Sequence, residues 1–175
     1  MEGGVRQGLR FVSGPIDPAV VVGHVHLKVA DLERAVSFYT EALGFEVTQL
    51  MGDQAAFLSA GGYHHHVGVN TWHSRGGEPP PPGATGLYHV AFRYPDRASL
   101  ARALRRLMRH SIRLDGASDH GVSEALYLRD PDGNGIELYR DRPTEEWPRA
   151  ANGSLQMVTL PLDLDALLAE VAGDE

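Results

Sequence analysis

The sequence predicts an α+β fold of two βαβββ modules, and three observations predict it: a segment that recurs in both halves, strand and helix periods in the same order in each, and a proline-rich break between them. His24-Val25-His26-Leu27-Lys28-Val29-Ala30-Asp31 lines up with His89-Val90-Ala91-Phe92-Arg93-Tyr94-Pro95-Asp96, and in both a histidine precedes a capping aspartate by seven positions. Duplication has a physical consequence. Two curled sheets made from repeated modules bring matching positions together around one central cleft, so single histidines become a pair.

Each element has its own signal. Residues 1–20 carry Gly and Pro with little periodicity and read as an N-terminal arm. Val22–Val29 alternates between an apolar face and a face bearing His24 and His26, the period of a strand. Asp31 is placed to cap a helix in which Leu32, Ala35, Val36, Tyr39 and Leu43 recur at helical spacing, and Gly44 ends it. Phe45–Leu50, Ala55–Ala60 and His64–Thr71 read as strands punctuated by Gly52-Asp53 and Gly61-Gly62. This completes a module over residues 21–73. Residues 74–85, with the run Pro79–Pro82, can continue neither strand nor helix because proline lacks the amide donor and fixes its φ.

The second module, 86–140, repeats the order. Leu87–Tyr94 reads as a strand, and Asp96 caps a helix with Leu100, Leu104, Leu107 and Met108 as its apolar stripe. Strands follow near Ile112–Ala117, Glu124–Arg129 and Gly135–Arg140. The tail, 141–175, carries Leu162, Leu164, Ala166, Leu167 and Leu168, which read as a short helix.

Composition narrows the function classes. At 175 residues the chain is long enough for one domain with a substantial core. Hydrophobic content of 42% and charged content of 22% are those of a folded globular protein. A net charge of −7 without a basic block argues against nucleic acid as a partner, since phosphate contacts need clustered Lys and Arg. No apolar run approaches membrane-spanning length and the first twenty residues lack a secretory pattern, so the expectation is a cytoplasmic protein with no membrane partner. With no cysteine, disulfides, zinc–thiolate sites and cysteine nucleophiles are excluded, and any metal must be held by nitrogen and oxygen. Nine histidines, several of them inside strand-like segments, are the residues to follow.

The start Gly23-His24-Val25-His26-Leu27-Lys28-Val29, the pair Phe38-Tyr39, Leu43-Gly44-Phe45, and the stretch Asp130-Pro131-Asp132-Gly133-Asn134-Gly135-Ile136-Glu137-Leu138 together resemble the vicinal oxygen chelate (glyoxalase/bleomycin resistance/extradiol dioxygenase) superfamily, and within it the catechol 2,3-dioxygenase-like proteins. The resemblance covers about Val21 to Arg140. It implies a curled mixed sheet around a central metal cleft, with the metal held by His24, His89 and Glu137. The position matching Glu137 in the first module is Gly68, which cannot ligate, whereas glyoxalase enzymes of this family usually carry a fourth protein ligand there. Two histidines and a carboxylate leave open positions, an arrangement suited to Fe(II), with Mn(II) or another divalent metal as alternatives. Such a metal would gather an aromatic diol and O₂ and lower a hydroxyl pKa.

A second group of residues resembles the ring-cleaving enzymes specifically: His120-Gly121-Val122-Ser123, then Ala125, then Tyr127 ten positions before Glu137. The resemblance implies that His120 and Tyr127 contact substrate and that a histidine near the last strand of the first module serves as acid–base catalyst. Strand alternation would put His64 and His66 on the face of Gly68, which favours His66, with His65 as the alternative should the register shift by one. Blander readings apply elsewhere. His26 is matched only by Ala91 and reads as structural, His64 as a solvated strand edge, and His73 and His110 as exposed. His120 could equally serve its glycine turn, and Tyr127 could pack on the core, as Tyr139 is expected to. The expected activity is therefore extradiol cleavage of a catechol-type aromatic by a homodimer, the modules pairing within one chain or between two. A glyoxalase-like lyase or isomerase is the alternative, and a metal-free antibiotic-binding protein is disfavoured by the three ligand-type residues. Because many similar dioxygenases contain two such domains, the chain resembles either a small single-domain enzyme or a non-catalytic half, and its complete ligand set favours the former.

Overall fold

A computed structural model describes residues 14–173. Residues 1–13 of the expected arm lie outside the described residues, and residues 14–24 form no helix or strand. Nine strands and three α-helices follow: β1 (Val25–Lys28), α1 (Leu32–Ser37), β2 (Glu46–Met51), β3 (Ala55–Ser59), β4 (Val67–Asn70), β5 (Val90–Arg93), α2 (Arg97–Arg109), β6 (Gly116–Asp119), β7 (Ser123–Arg129), β8 (Gly135–Asp141), β9 (Leu160–Pro161) and α3 (Leu164–Ala169). The strands form two mixed sheets, β1-β4-β3-β2 and β5-β8-β7-β6-β9. In each, the first strand runs parallel to the last strand of its module and the rest are antiparallel. The duplication therefore produces two sheets rather than one, because β1 and β5 are both edge strands and hydrogen-bond only within their own module.

The helices are set by their caps. Asp31 accepts from the Arg34 amide and Asp96 from the Ser99 amide, each satisfying one otherwise unpaired N–H. The first helix is six residues long and widens into a π-helical turn over Phe38–Ala42, where Leu43 N–H donates to the Phe38 carbonyl at 3.3 Å. That widening buries Phe38, Tyr39, Ala42 and Leu43 together. One apolar core joins both modules: Leu27, Val29, Leu58, Val67 and Val69 beneath α1, and Leu126, Leu128, Ile136 and Leu138 beneath α2, with Leu167 of α3 closing it. Each such side chain contributes about 1.5–3 kcal/mol relative to exposure.

Two joints lock the modules. The Tyr39 hydroxyl donates to buried Asp130 at 3.1 Å, and Asp132 accepts from the Ala30 amide and from Arg34. Phe45 and Phe92 meet edge to face at 5.1 Å on the seam.

The three strands expected to carry histidines, β1, β4 and β5, are shorter than alternation predicts, and the trimming removes His24, His64–His66 and His89 from them. β4 starts at Val67, not His64, because Gly61–His66 form a turn; β1 and β5 start one residue after His24 and His89. β6 spans Gly116–Asp119 instead of 112–117, since Ile112 N–H turns back to the Leu107 carbonyl and ends the helix there. The tail adds a strand the sequence did not signal: β9 pairs Leu160 with Asp119 and Pro161 with Ser118.

Candidate active site

The site is built from β5, β7, β8 and the turn between β6 and β7. The register sets Tyr127 of β7 opposite Glu137 of β8, and Glu137 opposite Ala91 of β5, so all three share one face. His89, just before β5, reaches the same face. Its Nε2 lies 3.0 Å from Glu137 Oε2. Tyr127 Oη lies 3.0 Å from the other carboxylate oxygen, Oε1, and 2.8 Å from His120 Nε2. Four residues singled out by the sequence thus form one chain of polar contacts, His89–Glu137–Tyr127–His120. Burial, reinforced by the bond to Glu137, pushes the Tyr127 phenol up to about 12, so it keeps its proton at neutral pH. A cavity of about 390 Å³ opens beside these groups, lined by Tyr88, His89, His120, Tyr127 and Thr159.

His24 stands elsewhere. It belongs to the exposed face of the first sheet, where its ring lies 4.4 Å from that of His65, and His65 in turn packs on Phe57 at 5.0 Å. His26 packs between Phe57 and Trp72. Burial, and after it the neighbouring histidine charges, lower both His26 and His65 below the ordinary imidazole range. Among the described residues no three His, Asp or Glu side chains converge as one metal ion would require. The donor set fits a divalent metal in kind, an imidazole nitrogen facing a carboxylate, but only His89 and Glu137 of the expected three are gathered.

His66 and His65 have exchanged the surroundings that alternation assigned them. His66 Nδ1 lies 3.1 Å from Ser59 Oγ, and its ring packs toward Phe45, whereas His65 keeps company with His24. The cause is the turn that precedes β4, through which a strand's two-residue period does not run. His64 is exposed, with its Nδ1 2.7 Å from that of His65. A second cavity of about 460 Å³ lies on the seam between the sheets and is lined by His24, Phe45, His66, Val90 and Phe92.

The glyoxalase/bleomycin resistance protein/dioxygenase superfamily profile matches residues 21–138. The chain belongs to this superfamily. Within the superfamily it is 44% identical over 154 residues to a catechol-2,3-dioxygenase of Bacillus subtilis (strain 168), covering 88% of this chain and 53% of that protein. It is 31% identical to biphenyl-2,3-diol 1,2-dioxygenase 3 of Rhodococcus globerulus, over 69% of this chain and 63% of the relative, so it spans roughly half to two thirds of the length of these relatives. A putative lactoylglutathione lyase of Brassica oleracea var. gemmifera is 30% identical over 70% of this chain and 45% of its own length. Among solved structures, a glyoxalase/dioxygenase from Nostoc punctiforme superposes with a TM-score of 0.60 at 21% identity, covering 76% of this chain and all of that one, which shows the shared fold. Among the described residues no helix is long and apolar enough to cross a membrane.

The tail helps to shape the pocket through residues the sequence did not single out: the segment Pro148–Pro161 reaches back to the site and places Thr159 in its wall. No period marks it.

Proposed function

We propose that the chain is an extradiol dioxygenase acting on a small catechol-type aromatic with O₂, and that His89 and Glu137, joined by His24, hold an Fe(II) or Mn(II) ion. The observation that carries the reading is the contact chain His89–Glu137–Tyr127–His120, which sets two metal-type donors beside two groups able to hydrogen-bond a diol. The dioxygenase relatives at 44% and 31% identity support it. Bound at these donors, a divalent metal would supply adjacent open positions for the two hydroxyl oxygens and for O₂, so that both oxygen atoms enter the ring carbons and the bond next to the diol breaks to give a semialdehyde.

The chain's own residues do the rest. Tyr127, protonated at neutral pH, and His120 orient a substrate hydroxyl by hydrogen bonding. A histidine of the His64–His66 run holds the second hydroxyl proton. His66 remains a candidate, and His65, whose ring lies 4.4 Å from that of His24, is the better placed of the two. His24 reaches the His89–Glu137 pair by pairing of the first sheet with the second sheet of another copy in a homodimer. The separation of His24 from that pair supports this arrangement, as does the exposure of Leu50, Met51 and Trp72 on the first module and Tyr88 on the second.

Two experiments test these statements. Protein purified without oxygen and loaded with Fe(II) should consume O₂ and form yellow ring-fission product from catechol, and His89→Ala and Glu137→Ala should abolish both. Tight metal binding without turnover would instead favour the lyase or isomerase reading that the lactoylglutathione lyase relatives support and Gly68 weighs against. For the dimer, His24→Ala and Glu137→Ala proteins, each inactive, should on mixing and subunit exchange recover about a quarter of wild-type activity, because one site in each mixed dimer is intact. No recovery under demonstrated exchange refutes the shared site.

A further inference from the structure

The segment after β8 does more than cover the sheet. Val158 grips His120 twice: its N–H donates to the His120 carbonyl at 3.1 Å, and its own carbonyl oxygen lies 2.9 Å from His120 Nδ1. The Thr159 hydroxyl stands at 3.4 Å from the same nitrogen. His120's amide is held from the other side by the Ser123 carbonyl at 2.8 Å. Both ends of the segment are docked: Leu160 and Pro161 pair with β6, and the Trp147 indole donates to the Arg142 carbonyl at 2.9 Å. Between them, Pro148 and Val158 press against Gly121, where an added Cβ would lie 2.7 Å from Pro148 Cγ and 3.3 Å from Val158 Cγ2. Gly121 also has φ +73°, so this turn and the segment above it fit each other only with glycine here.

A carbonyl oxygen can only accept, so a hydrogen bond from His120 to Val158 requires the proton on Nδ1. In the neutral imidazole Nε2 is then bare and can only accept, and its partner is the Tyr127 hydroxyl at 2.8 Å. Tyr127 has one proton and two neighbours that could accept it, His120 Nε2 and Glu137 Oε1. With Nε2 protonated the proton could go only to Glu137, whereas a bare Nε2 lets His120 and Glu137 share it.

We infer that Pro148–Pro161 is a positioning strap: through the Val158 carbonyl it fixes His120 as the Nδ1–H tautomer, which leaves Nε2 bare and makes it a second acceptor, beside Glu137 Oε1, for the Tyr127 hydroxyl proton. The strap acts through His120, and its catalytic consequence rests on the dioxygenase reading; the tautomer itself does not.

The test is long-range ¹H–¹⁵N NMR of the full-length, metal-free, ¹⁵N-labelled protein, at a pH about two units above the ordinary histidine value of about 6.5, so that neutral imidazoles dominate. His120→Asn assigns the signals. The wild type is expected to show His120 protonated at Nδ1 alone. Gly121→Ala, which must push Pro148 and Val158 away, and Val158→Pro, which removes the N–H half of the grip, are each expected to show both tautomers, with the backbone amide spectrum confirming the fold. In the metal-loaded enzyme the same variants should lose about tenfold in kcat with little change in KM, the usual size of an effect on a residue behind the reacting groups. Nε2 protonation in the wild type overturns the inference, as does a single unchanged tautomer in either folded variant. An Nδ1–H wild type without ring-cleaving activity would leave the strap standing and refute the dioxygenase reading.

Discussion

The two modules share a backbone plan and differ in one row of side chains. In the first sheet the row across three strands is His26, Gly68 and Phe57; in the second the matching row is Ala91, Glu137 and Tyr127. Bulk is exchanged between neighbours. Where Gly68 has no side chain the His26 ring lies over it, so that a Cβ there would be 3.0 Å from His26 Cγ, while Ala91 is small where Glu137 needs room. The first row has become an aromatic surface, since Phe57 packs on His26 and His65, and the second a hydrogen-bonded polar chain. A duplicated fold can thus make the same row an aromatic surface in one sheet and a chain of donors and acceptors in the other while keeping the strand pairing of the module.

The most damaging way to erase this difference is Glu137→Gly, which gives the second row the first row's gap. It should reduce metal affinity and any ring-cleaving rate by about a hundredfold or more, at or above the top of the range for residues that only support ligands, with the thermal midpoint nearly unchanged. Equilibrium dialysis with Mn(II) and oxygen uptake would measure it, and retained metal affinity would show that the asymmetry of the rows has no bearing on metal binding. Next in size is the joint between modules. Tyr39 donates to Asp130 in a fully buried setting, whereas the matching pair in the other direction, Leu104 and Gly61, has no polar contact. Tyr39→Phe should therefore cost about 1–2 kcal/mol by urea unfolding, limited because Asp130 Oδ2 keeps its bond from Asn134 Nδ2. Gly68→Ala should cost less, under about 1 kcal/mol, since the His26 ring can yield by tenths of an ångström. A shift of the His26 ring resonances would report that displacement, and their constancy would mean the ring does not depend on the glycine.

The duplication was readable because it is written in local chemistry: the caps Asp31 and Asp96, the matched histidines and the alternating strands each act over a few residues. Four of the expected site residues stand together: His89, to which the repeat drew attention, and Glu137, His120 and Tyr127, which came from the resemblance to the superfamily and not from local periodicity. What alternation could not supply was where a strand begins. Asp130-Pro131-Asp132-Gly133-Asn134 forms the turn before β8, and the aligned stretch Gly61-Gly62-Tyr63-His64-His65 forms the turn before β4, so the histidine run falls in a turn whose side-chain directions follow from its own φ angles. The place of His24 was equally hidden, because it depends on how two sheets meet. So was the strap, whose hold on His120 runs through a backbone carbonyl that every residue possesses.

The smallest effect expected lies beneath that strap, at a carboxylate with no counterpart in the first module. Burial tends to raise the Asp119 carboxyl, but the Gly121 amide and the Arg142 guanidinium, which contact its two oxygens at 2.8 and 2.6 Å, outweigh burial and hold it below the usual aspartate value. A carboxyl whose folded pKa is depressed contributes stability that is present above its unfolded value, about 3.9, and is lost as pH falls through the folded value. Asp119→Asn should therefore lower the thermal midpoint at neutral pH and flatten its fall below about pH 4, where the wild type protonates this group. The effect is modest because Asp119 is partly exposed and Arg142 keeps Glu124 as a second partner at 3.1 Å. Parallel melting curves of wild type and variant from neutral to acid pH would measure it, and curves that stay equally spaced throughout would mean that the charge of Asp119 does not help to hold the turn carrying His120.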